Sequence, residues 1–305
     1  MALIQGCFHL APNTLAEGRG PQGPPPRQKK ALPENESCPL PRFRAPPRQG
    51  EVEVTLAACA ICHSDLHFIE GAWGGTLPAA YGHEAAGIVT GPGDGVSDAR
   101  IGQRVLVTLI RACGTCRCCS DGRPVICEYT ADSASPLALP DGTPVTQGMK
   151  TGAFAEKLVV DASQLAPLPA DIALDMAALL ACGVITGTGA VFKTAAMPAV
   201  AAALVIGTGG VGLNTIQGAC IAGAGRNIAM DVAPEKLQAA RDFGATDGVL
   251  ASDPDAQAQI RAPTAGRGGG SCLCHYGRRS RLGTGAGTVR AGRVDHHGRH
   301  DRQLR

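Results

Sequence analysis

The chain lacks long hydrophobic runs, a secretory signal and a strong excess of charge. No stretch reaches the roughly 18 uninterrupted apolar residues of a membrane-spanning helix, and residues 1–10 lack a basic segment followed by an adequate apolar run. The net charge of +2 over 305 residues gives no reason to expect binding to nucleic acid or to a membrane surface. We therefore predict a cytoplasmic protein without a membrane or nucleic-acid partner.

Cysteine, in contrast, is abundant, with 13 residues in the chain. In a reducing compartment, closely spaced cysteines are more often metal ligands than disulfide partners. The hydrophobic share of 44% supports a buried core, and a length of 305 residues corresponds to about two domains. The composition therefore indicates a globular chain with metal sites.

The two end segments differ in composition from the middle of the chain. Residues 1–48 are rich in proline and lack periodicity, which is typical of extended or disordered chain. Residues 262–305 hold nine Arg and two Asp but no Lys or Glu, which gives this tail a net charge of +7. The tail also lacks Ile, Phe and Met, so we predict that it is unstructured and resembles an out-of-frame translation. Binding of RNA or DNA through its charge is the alternative.

A first group of potential zinc ligands follows an alternating segment, 51–56, that predicts a strand. Cys62 offers a thiolate and His83 an imidazole, and Cys182 offers a second thiolate from far downstream. Two Cys and one His leave the fourth position of a tetrahedral zinc ion open, as a catalytic site requires. A Cys–His pair alone is more often part of core packing than a metal site, so this assignment depends on the motifs around it.

A second group of cysteines has the spacing C-x2-C-x2-C-x7-C and comprises Cys113, Cys116, Cys119 and Cys127. Two-residue gaps allow successive thiolates to bind one ion. Four thiolates complete the tetrahedral coordination shell of that ion, so the motif predicts a structural zinc site. An iron–sulfur cluster is an alternative use of four thiolates, and disulfides are another in an oxidising compartment. Cys118, in the same loop, is not predicted to be a ligand.

A dinucleotide-binding fingerprint lies in the second half of the chain. The apolar segment 201–206 predicts a buried strand, and a G-x-G-x-x-G motif follows it directly before a predicted helix. The motif residues are Gly207, Gly209, Gly210, Val211 and Gly212. Asp231 lies nineteen residues further on, where it can accept hydrogen bonds from the adenosine ribose and repel a 2′-phosphate. We therefore predict NAD rather than NADP; a glycine-rich turn before an ordinary helix is the alternative.

Together, these motifs resemble those of the zinc-dependent medium-chain alcohol dehydrogenases over roughly residues 50–261. The resemblance rests on the segment Cys62–His67 with sequence CHSDLH, on Gly82-His83-Glu84, on the four-cysteine group and on the fingerprint with Asp231. It implies an α/β fold with two domains. A GroES-like β-rich catalytic domain would occupy residues 49–184, and an incomplete Rossmann doubly wound parallel sheet would occupy residues 185–261.

The resemblance also implies roles for individual residues. The catalytic zinc would be bound by Cys62, His83 and Cys182. Ser64 and His67 would remove the alcohol proton, Asp65 would orient the histidine ligand, and Glu84 would lie close behind the metal. Besides the fingerprint residues, the cofactor contacts would be His63, Thr186 and Lys236.

The implied activity is hydride transfer between an alcohol and NAD, or an aldehyde or ketone in reverse. It would use two zinc ions per chain, one catalytic and one structural, and the family assembles as homodimers or homotetramers. The chain departs from the family in its proline-rich opening and in the loss of the Rossmann pattern near Ile260. An inactive zinc-binding remnant of such an enzyme is therefore the alternative function.

Overall fold

The computed structural model describes residues 46–128 and 135–264, and also the backbone of three short strands at 42–43, 271–274 and 293–294. The chain divides into two compact units, one ending at Ala178 and the other beginning at Leu179. The sequence placed this boundary slightly later, between residues 184 and 185. Disorder was predicted for residues 1–48. Within that segment the backbone of residues 42–43 instead forms a short strand paired antiparallel with residues 137–138, because backbone pairing does not need a periodic sequence. Residues 1–41 and 44–45 lie outside the described residues.

The first unit is rich in short strands, as its alternating segments predict. Its strands are β1 (Arg42–Phe43), β2 (Glu51–Ala60), β3 (Ala79–Ala80), β4 (Glu84–Pro92), β5 (Arg104–Val107), β6 (Leu137–Ala138), β7 (Pro144–Gln147), β8 (Lys157–Asp161) and β9 (Leu165–Pro167). Its helices are α1 (His63–Ile69), α2 (Arg117–Ser120) and α3 (Leu174–Ala178). The five-stranded sheet has the order β8-β2-β4-β5-β9, with antiparallel neighbours, and a four-stranded sheet has the order β1-β6-β7-β3.

The alternation in β2 explains how the larger sheet forms its core. Val52 and Val54 are fully buried, whereas Glu51 and Glu53, which alternate with them, are only partly buried. Successive side chains of a strand point to opposite faces of the sheet, so the face of β2 that carries Val52, Val54 and Leu56 is apolar. The apolar face packs against Val89, Val105, Val107, Leu158 and Val160. This sheet is the scaffold from which the segment carrying Cys62 leaves at the end of β2.

The second unit is built on a parallel sheet. Its strands are β10 (Ala202–Ile206), β11 (Arg226–Asp231), β12 (Asp247–Leu250), β13 (Ser271–Cys274) and β14 (Arg293–Val294). Its helices are α4 (Gly183–Gly189), which continues as a π-helical turn at Ala190–Thr194, α5 (Gly210–Ile221), α6 (Pro234–Asp242) and α7 (Ala256–Arg261). The strand order is β12-β11-β10-β13-β14, and all neighbouring pairs are parallel. Counted from β10, this is the order 3-2-1-4-5 of a doubly wound dinucleotide-binding sheet.

Apolar side chains cover both faces of this parallel sheet. Val205 packs against Ile216 of α5 and Leu237 of α6, whereas its neighbour Leu204 packs in the cluster that contains Ile260 of α7. Adjacent strand residues point to opposite faces, so the continuous apolar run in β10 supplies both layers. Helices on both faces make the unit doubly wound, in agreement with the predicted fold class.

Two strands lie in the tail that the sequence predicted to be unstructured. β13 pairs in parallel with β10 over Ala203–Ile206, and β14 pairs with β13. Pairing through the backbone does not require an amphipathic pattern, so the composition of the tail gave no indication of it. The sheet therefore continues past Ile260, where the Rossmann pattern was predicted to stop. A short 3-10 helix at Ala262–Thr264 opens the tail, and its remaining residues lie outside the described residues.

Among the helices that the structure describes, none is by itself long and apolar enough to cross a membrane. One bent pair of segments, Leu174–Ala181 with Gly183–Thr194, meets that criterion by combined length and composition alone.

Candidate metal centre and cofactor site

Asp65 organises the first group of predicted metal ligands. It occupies the first turn of α1 and is fully buried. Its Oδ2 accepts a hydrogen bond from the Cys62 amide at 2.9 Å, and its Oδ1 accepts one from the Gly82 amide at 3.0 Å. The same Oδ1 lies 3.2 Å from Nδ1 of His83. A buried carboxylate requires such partners, and here they fix both the segment carrying Cys62 and the segment carrying His83.

The orientation of His83 is that of a metal-binding imidazole. The ring is 1% exposed, and Nδ1 is directed at Asp65. The buried Nε2 has no hydrogen-bond partner among the residues that the structure describes. Metal-ligating histidines usually donate one ring N–H to a carboxylate, which leaves the other nitrogen for the metal. A ring nitrogen of His83, the sulfur of Cys62 and a carboxylate oxygen of Glu84 lie within 4.8 Å of one another.

The charges around these three side chains favour a cation. Burial alone would lower the pKa of His83, but Asp65 and the Cys62 sulfur outweigh it and raise this pKa to about 9. Burial, together with the charge of Cys62, raises the pKa of Glu84 to about 7. Both groups therefore hold a proton more tightly than usual, and a bound metal ion would supply the positive charge in place of those protons.

Cys182 and Thr186 lie together in the second unit. Cys182 is the residue immediately before α4, and Thr186 is one turn into that helix. Their Sγ and Oγ1 atoms are 4.0 Å apart, and the Thr186 amide donates to the Cys182 carbonyl at 2.8 Å. Because α4 begins at Gly183, Thr186 lies within the helix. The assignment of Cys182 as the third zinc ligand remains a prediction.

The four-cysteine group closes around a single point. The sulfurs of Cys113, Cys116, Cys119 and Cys127 all lie within 4.8 Å of one another. Two of the separations are 4.0 Å, for Cys113 to Cys119, and 3.8 Å, for Cys116 to Cys127. A tetrahedral zinc ion with Zn–S bonds of about 2.3 Å requires sulfur–sulfur edges of about 3.8 Å, whereas a disulfide bond is about 2.05 Å long. The geometry therefore fits one ion and does not fit disulfides in these two pairs.

Backbone amides within the four-cysteine group are directed at the sulfurs. The Cys116 amide donates to the Cys113 sulfur at 3.2 Å, and the Cys113 amide donates to the Cys127 sulfur at 3.3 Å. Amides of Thr115 and Cys116 lower the pKa of the Cys113 thiol to about 6, whereas burial and a hydrogen bond with Cys116 raise that of Cys119 to about 12. Cys118 is buried, and its sulfur does not belong to the group of four.

The predicted proton-relay residues lie on α1. His63 and His67 are one turn apart, and their ring centroids are 4.8 Å from each other. Trp73 packs against His67 with a centroid distance of 4.9 Å, although half of its surface is exposed. Ser64 is half-buried on the same helix, next to Asp65. The helix therefore presents the hydroxyl and both imidazoles close to Cys62.

The glycine-rich turn has the geometry of the predicted fingerprint. It connects β10 to α5, and Gly209 precedes the first turn of the helix. Gly207 has a φ of 88°, in the left-handed region that favours glycine. A Cβ on Gly212 would collide with the Gly207 carbonyl oxygen, so the helix approaches the strand as closely as it does only because this residue is glycine. Gly209, Gly210 and the amides of the α5 N-terminus are exposed to a potential anionic ligand.

Asp231 ends β11 beside this turn and is 6% exposed. Its Oδ2 accepts from the amide of Thr208 at 2.7 Å and from the hydroxyl of Thr208 at 3.0 Å. Its Oδ1 accepts from the amides of Val232 at 2.7 Å and Ala233 at 3.2 Å. Burial alone would raise the pKa of Asp231, but these donors outweigh it and lower the pKa, so the carboxylate is charged at neutral pH. Lys236 is exposed on α6, five residues further on.

Comparison with known proteins agrees with this geometry. Residues 48–170 match the model of the alcohol dehydrogenase GroES-like domain, and residues 210–285 match that of the zinc-binding dehydrogenase domain. The crystal structure of an alcohol dehydrogenase zinc-binding domain protein from Burkholderia ambifaria superimposes with a TM-score of 0.77 at 31% identity, over 82% of this chain and 69% of that one. The chain belongs to the zinc-dependent medium-chain alcohol dehydrogenase family.

Other members of this family show the same relationship. Benzyl alcohol dehydrogenase from Acinetobacter calcoaceticus superimposes with a TM-score of 0.74 at 26% identity, over 82% of this chain and 69% of that one. The S-(hydroxymethyl)glutathione dehydrogenase of Photobacterium damsela subsp. piscicida is 35% identical over 224 residues, which is 70% of this chain and 61% of the relative. The chain therefore spans about three fifths of the length of the curated dehydrogenases that it matches.

Two residues that bear on the site were not predicted from the sequence. Trp73 packs on His67, and the only signal for this contact was the position of the single tryptophan, six residues after that histidine. Thr208 bonds Asp231 through both its amide and its hydroxyl. The sequence feature that could have indicated this contact is the hydroxyl side chain of Thr208 at the second position of the glycine-rich motif, where the motif allows any residue.

Proposed function

We propose that this chain transfers hydride between an alcohol and NAD, with an aldehyde or ketone as substrate in reverse, in a zinc-dependent reaction. The observation that carries the proposal is the buried His83, whose Nδ1 is held by Asp65 and whose Nε2 has no protein partner in the described part of the chain, next to Cys62. Burial removes the water that would otherwise bind Nε2, and losing that hydrogen bond costs free energy. A bond from Nε2 to a metal ion would offset this cost.

Zinc, when bound, would supply a Lewis acid that polarises the substrate oxygen. Cys62 and His83 fit it as a thiolate and an imidazole, and we propose Cys182 as the third ligand, as the family resemblance implies. Asp65 fixes the tautomer and the direction of His83. Glu84 lies close enough to stabilise the same positive charge.

We assign the movement of the alcohol proton to α1. The Ser64 hydroxyl would accept it from the substrate, and His67 would pass it on to solvent. Trp73 packs on the His67 ring and restricts its rotation, which favours a fixed path for the proton. His63, exposed at the start of the helix, would contact the cofactor pyrophosphate.

NAD is the proposed cofactor of the second unit. The fingerprint residues Gly207, Gly209, Gly210, Val211 and Gly212 would receive the pyrophosphate on amides at the N-terminus of α5. The charge of Asp231 would repel a 2′-phosphate, and the exposed ammonium of Lys236 would contact the ribose. We also propose Thr186 as a contact of the nicotinamide ring.

A second, structural zinc ion is proposed for the four-cysteine group, so that each chain would hold two. We also propose a cytoplasmic location, because a reducing compartment keeps the four thiols available as ligands. The names of the relatives make S-(hydroxymethyl)glutathione and benzyl alcohol the first substrates to assay. A homodimer or homotetramer, as in the family, is part of the same proposal.

The decisive experiment measures zinc content, NADH binding and alcohol oxidation in the wild-type chain and in Cys62→Ser. We expect two zinc ions per chain in the wild type, and one ion with no turnover in the variant. Cys118→Ser is a matched control, because Cys118 is buried but lies outside both ligand groups. Zinc and NADH binding without any turnover in the wild type would favour the inactive-remnant alternative, and absence of zinc would contradict the proposal.

A further inference from the structure

The Asp231 carboxylate is fully occupied by donors from its own chain. An ionised carboxylate has about four lone-pair sites. Four donors take them: the amide and the hydroxyl of Thr208 on Oδ2, and the amides of Val232 and Ala233 on Oδ1. The side chain is also 6% exposed. A ribose hydroxyl can therefore bond Asp231 only if one of these four donors leaves.

Only one of the four donors can leave without moving the backbone. The three amides belong to the turn after β10 and to the turn after β11, and each is fixed by the main chain. The Thr208 hydroxyl rotates freely about its C–O bond. It already has a second acceptor, the carbonyl oxygen of Lys236 at 3.4 Å. One hydroxyl carries one proton, so it donates either to Asp231 or to Lys236.

We propose that the Thr208 hydroxyl competes with the adenosine ribose for Asp231 and moves to the Lys236 carbonyl when the dinucleotide binds. Thr208 is thus a positioning residue that sets the affinity for the cofactor without being required for it. The inference rests on the proposed function, because it takes Asp231 to be the ribose acceptor. It assigns a role to Thr208 that the glycine-rich motif does not specify.

The proposal predicts that removing the hydrogen bond from Thr208 to Asp231 strengthens NADH binding instead of weakening it. Thr208→Val keeps the shape of the side chain but removes the hydroxyl, so an acceptor site on Asp231 is no longer filled in the free protein. We expect the dissociation constant for NADH to fall about three- to tenfold, the equivalent of one net hydrogen bond. Thr208→Ser keeps the competing hydroxyl and should bind NADH as the wild type does.

The experiment is a titration of the full-length chain with NADH, in which the fluorescence of the bound nicotinamide reports binding. A second titration with NADPH is run in parallel. Thr215→Val is the matched control: Thr215 is fully buried in the same unit, and its hydroxyl donates to the Val211 carbonyl at 2.9 Å, away from Asp231. It should leave NADH affinity unchanged. Thermal unfolding is a second readout, since NADH should raise the melting temperature of Thr208→Val by more than that of the wild type.

The outcomes separate this inference from the proposed function. An unchanged or weaker affinity in Thr208→Val, with Asp231→Asn weakening NADH binding as expected, would overturn the competition alone. If Asp231→Asn binds NADH as tightly as the wild type, the competition at Asp231 is also overturned, but the oxidoreductase assignment stays in place. Absence of NADH binding in the wild type would overturn both. If Thr208→Val does not fold, Thr208→Ala removes the same hydroxyl and carries the same expectation.

Discussion

Replacing Asp65 with Asn should destabilise the first unit, because the carboxylate serves three groups at once. It accepts from Cys62 at 2.9 Å and Gly82 at 3.0 Å, contacts Nδ1 of His83 at 3.2 Å, and is fully buried. Asn has the same shape but one acceptor oxygen, so its NH2 group must face at least one of these donors. A buried donor without an acceptor costs roughly 1–3 kcal/mol. With the lost charge included, we expect unfolding to require about 2–4 kcal/mol less free energy.

The same substitution should weaken zinc binding at Cys62 and His83. Removal of the partner that orients a metal-bound histidine typically lowers affinity about 10- to 100-fold. Guanidinium unfolding measures the stability, and competition with a chromophoric chelator measures the zinc affinity. Asp121→Asn is the control: Asp121 is half-exposed and pairs with Arg123 at 3.2 Å, so its loss should cost less than about 1 kcal/mol. Wild-type stability together with wild-type zinc affinity in Asp65→Asn would refute the reasoning.

Three further predictions concern the fingerprint, the pH dependence and the second metal. Gly212→Ala should destabilise the chain by about 1–3 kcal/mol in denaturant unfolding, because its Cβ would collide with a backbone carbonyl, whereas Gly209→Ala, with open space around it, should not. The folded-state pKa of Asp231 is lowered, so its contribution to stability should be fully present above about pH 3.9 and disappear as the pH falls further. Measuring the free energy of unfolding of Asp231→Asn and of the wild type across acidic pH tests this. A stability difference between the two that grows below about pH 3.9 would contradict the prediction. Cys113→Ser should reduce zinc content from two ions to one, measured by elemental analysis, and retention of both would argue against a tetrahedral thiolate site.

Much of the candidate site could be predicted because metal ligation imposes strict spacing. The C-x2-C-x2-C-x7-C motif specifies four sulfurs around one point, and the structure places all four within 4.8 Å of one another. The pairing of Cys62 with His83 was also predicted, and Asp65 contacts both of their segments. These inferences depend on residue type and local chain geometry, which a single sequence contains.

What could not be predicted depends on contacts between distant segments. The start of α4 at Gly183 is stabilised by close packing on α5, where Gly187 approaches the Val211 carbonyl, and no local propensity indicates it. The bond from the Thr208 hydroxyl to Asp231 joins residues 23 positions apart. The strand Ser271–Cys274 was missed because its glycine- and arginine-rich surroundings carry no periodicity, while the parallel pairing to β10 uses only backbone groups.

The pairing of β13 with β10 gives the tail a specific place in the cofactor unit. The glycine-rich turn leaves the carboxyl end of β10, and the strand order reverses between β10 and β13. Dinucleotides bind at such a reversal, in the crevice outside the strand ends. A chain cut after Arg261 would turn β10 into an open sheet edge, with unpaired amides and carbonyls ready to recruit another strand. The two described strands of the tail, β13 and β14, therefore cover the side of β10 that faces away from β11, and their removal should lower the solubility of the sheet.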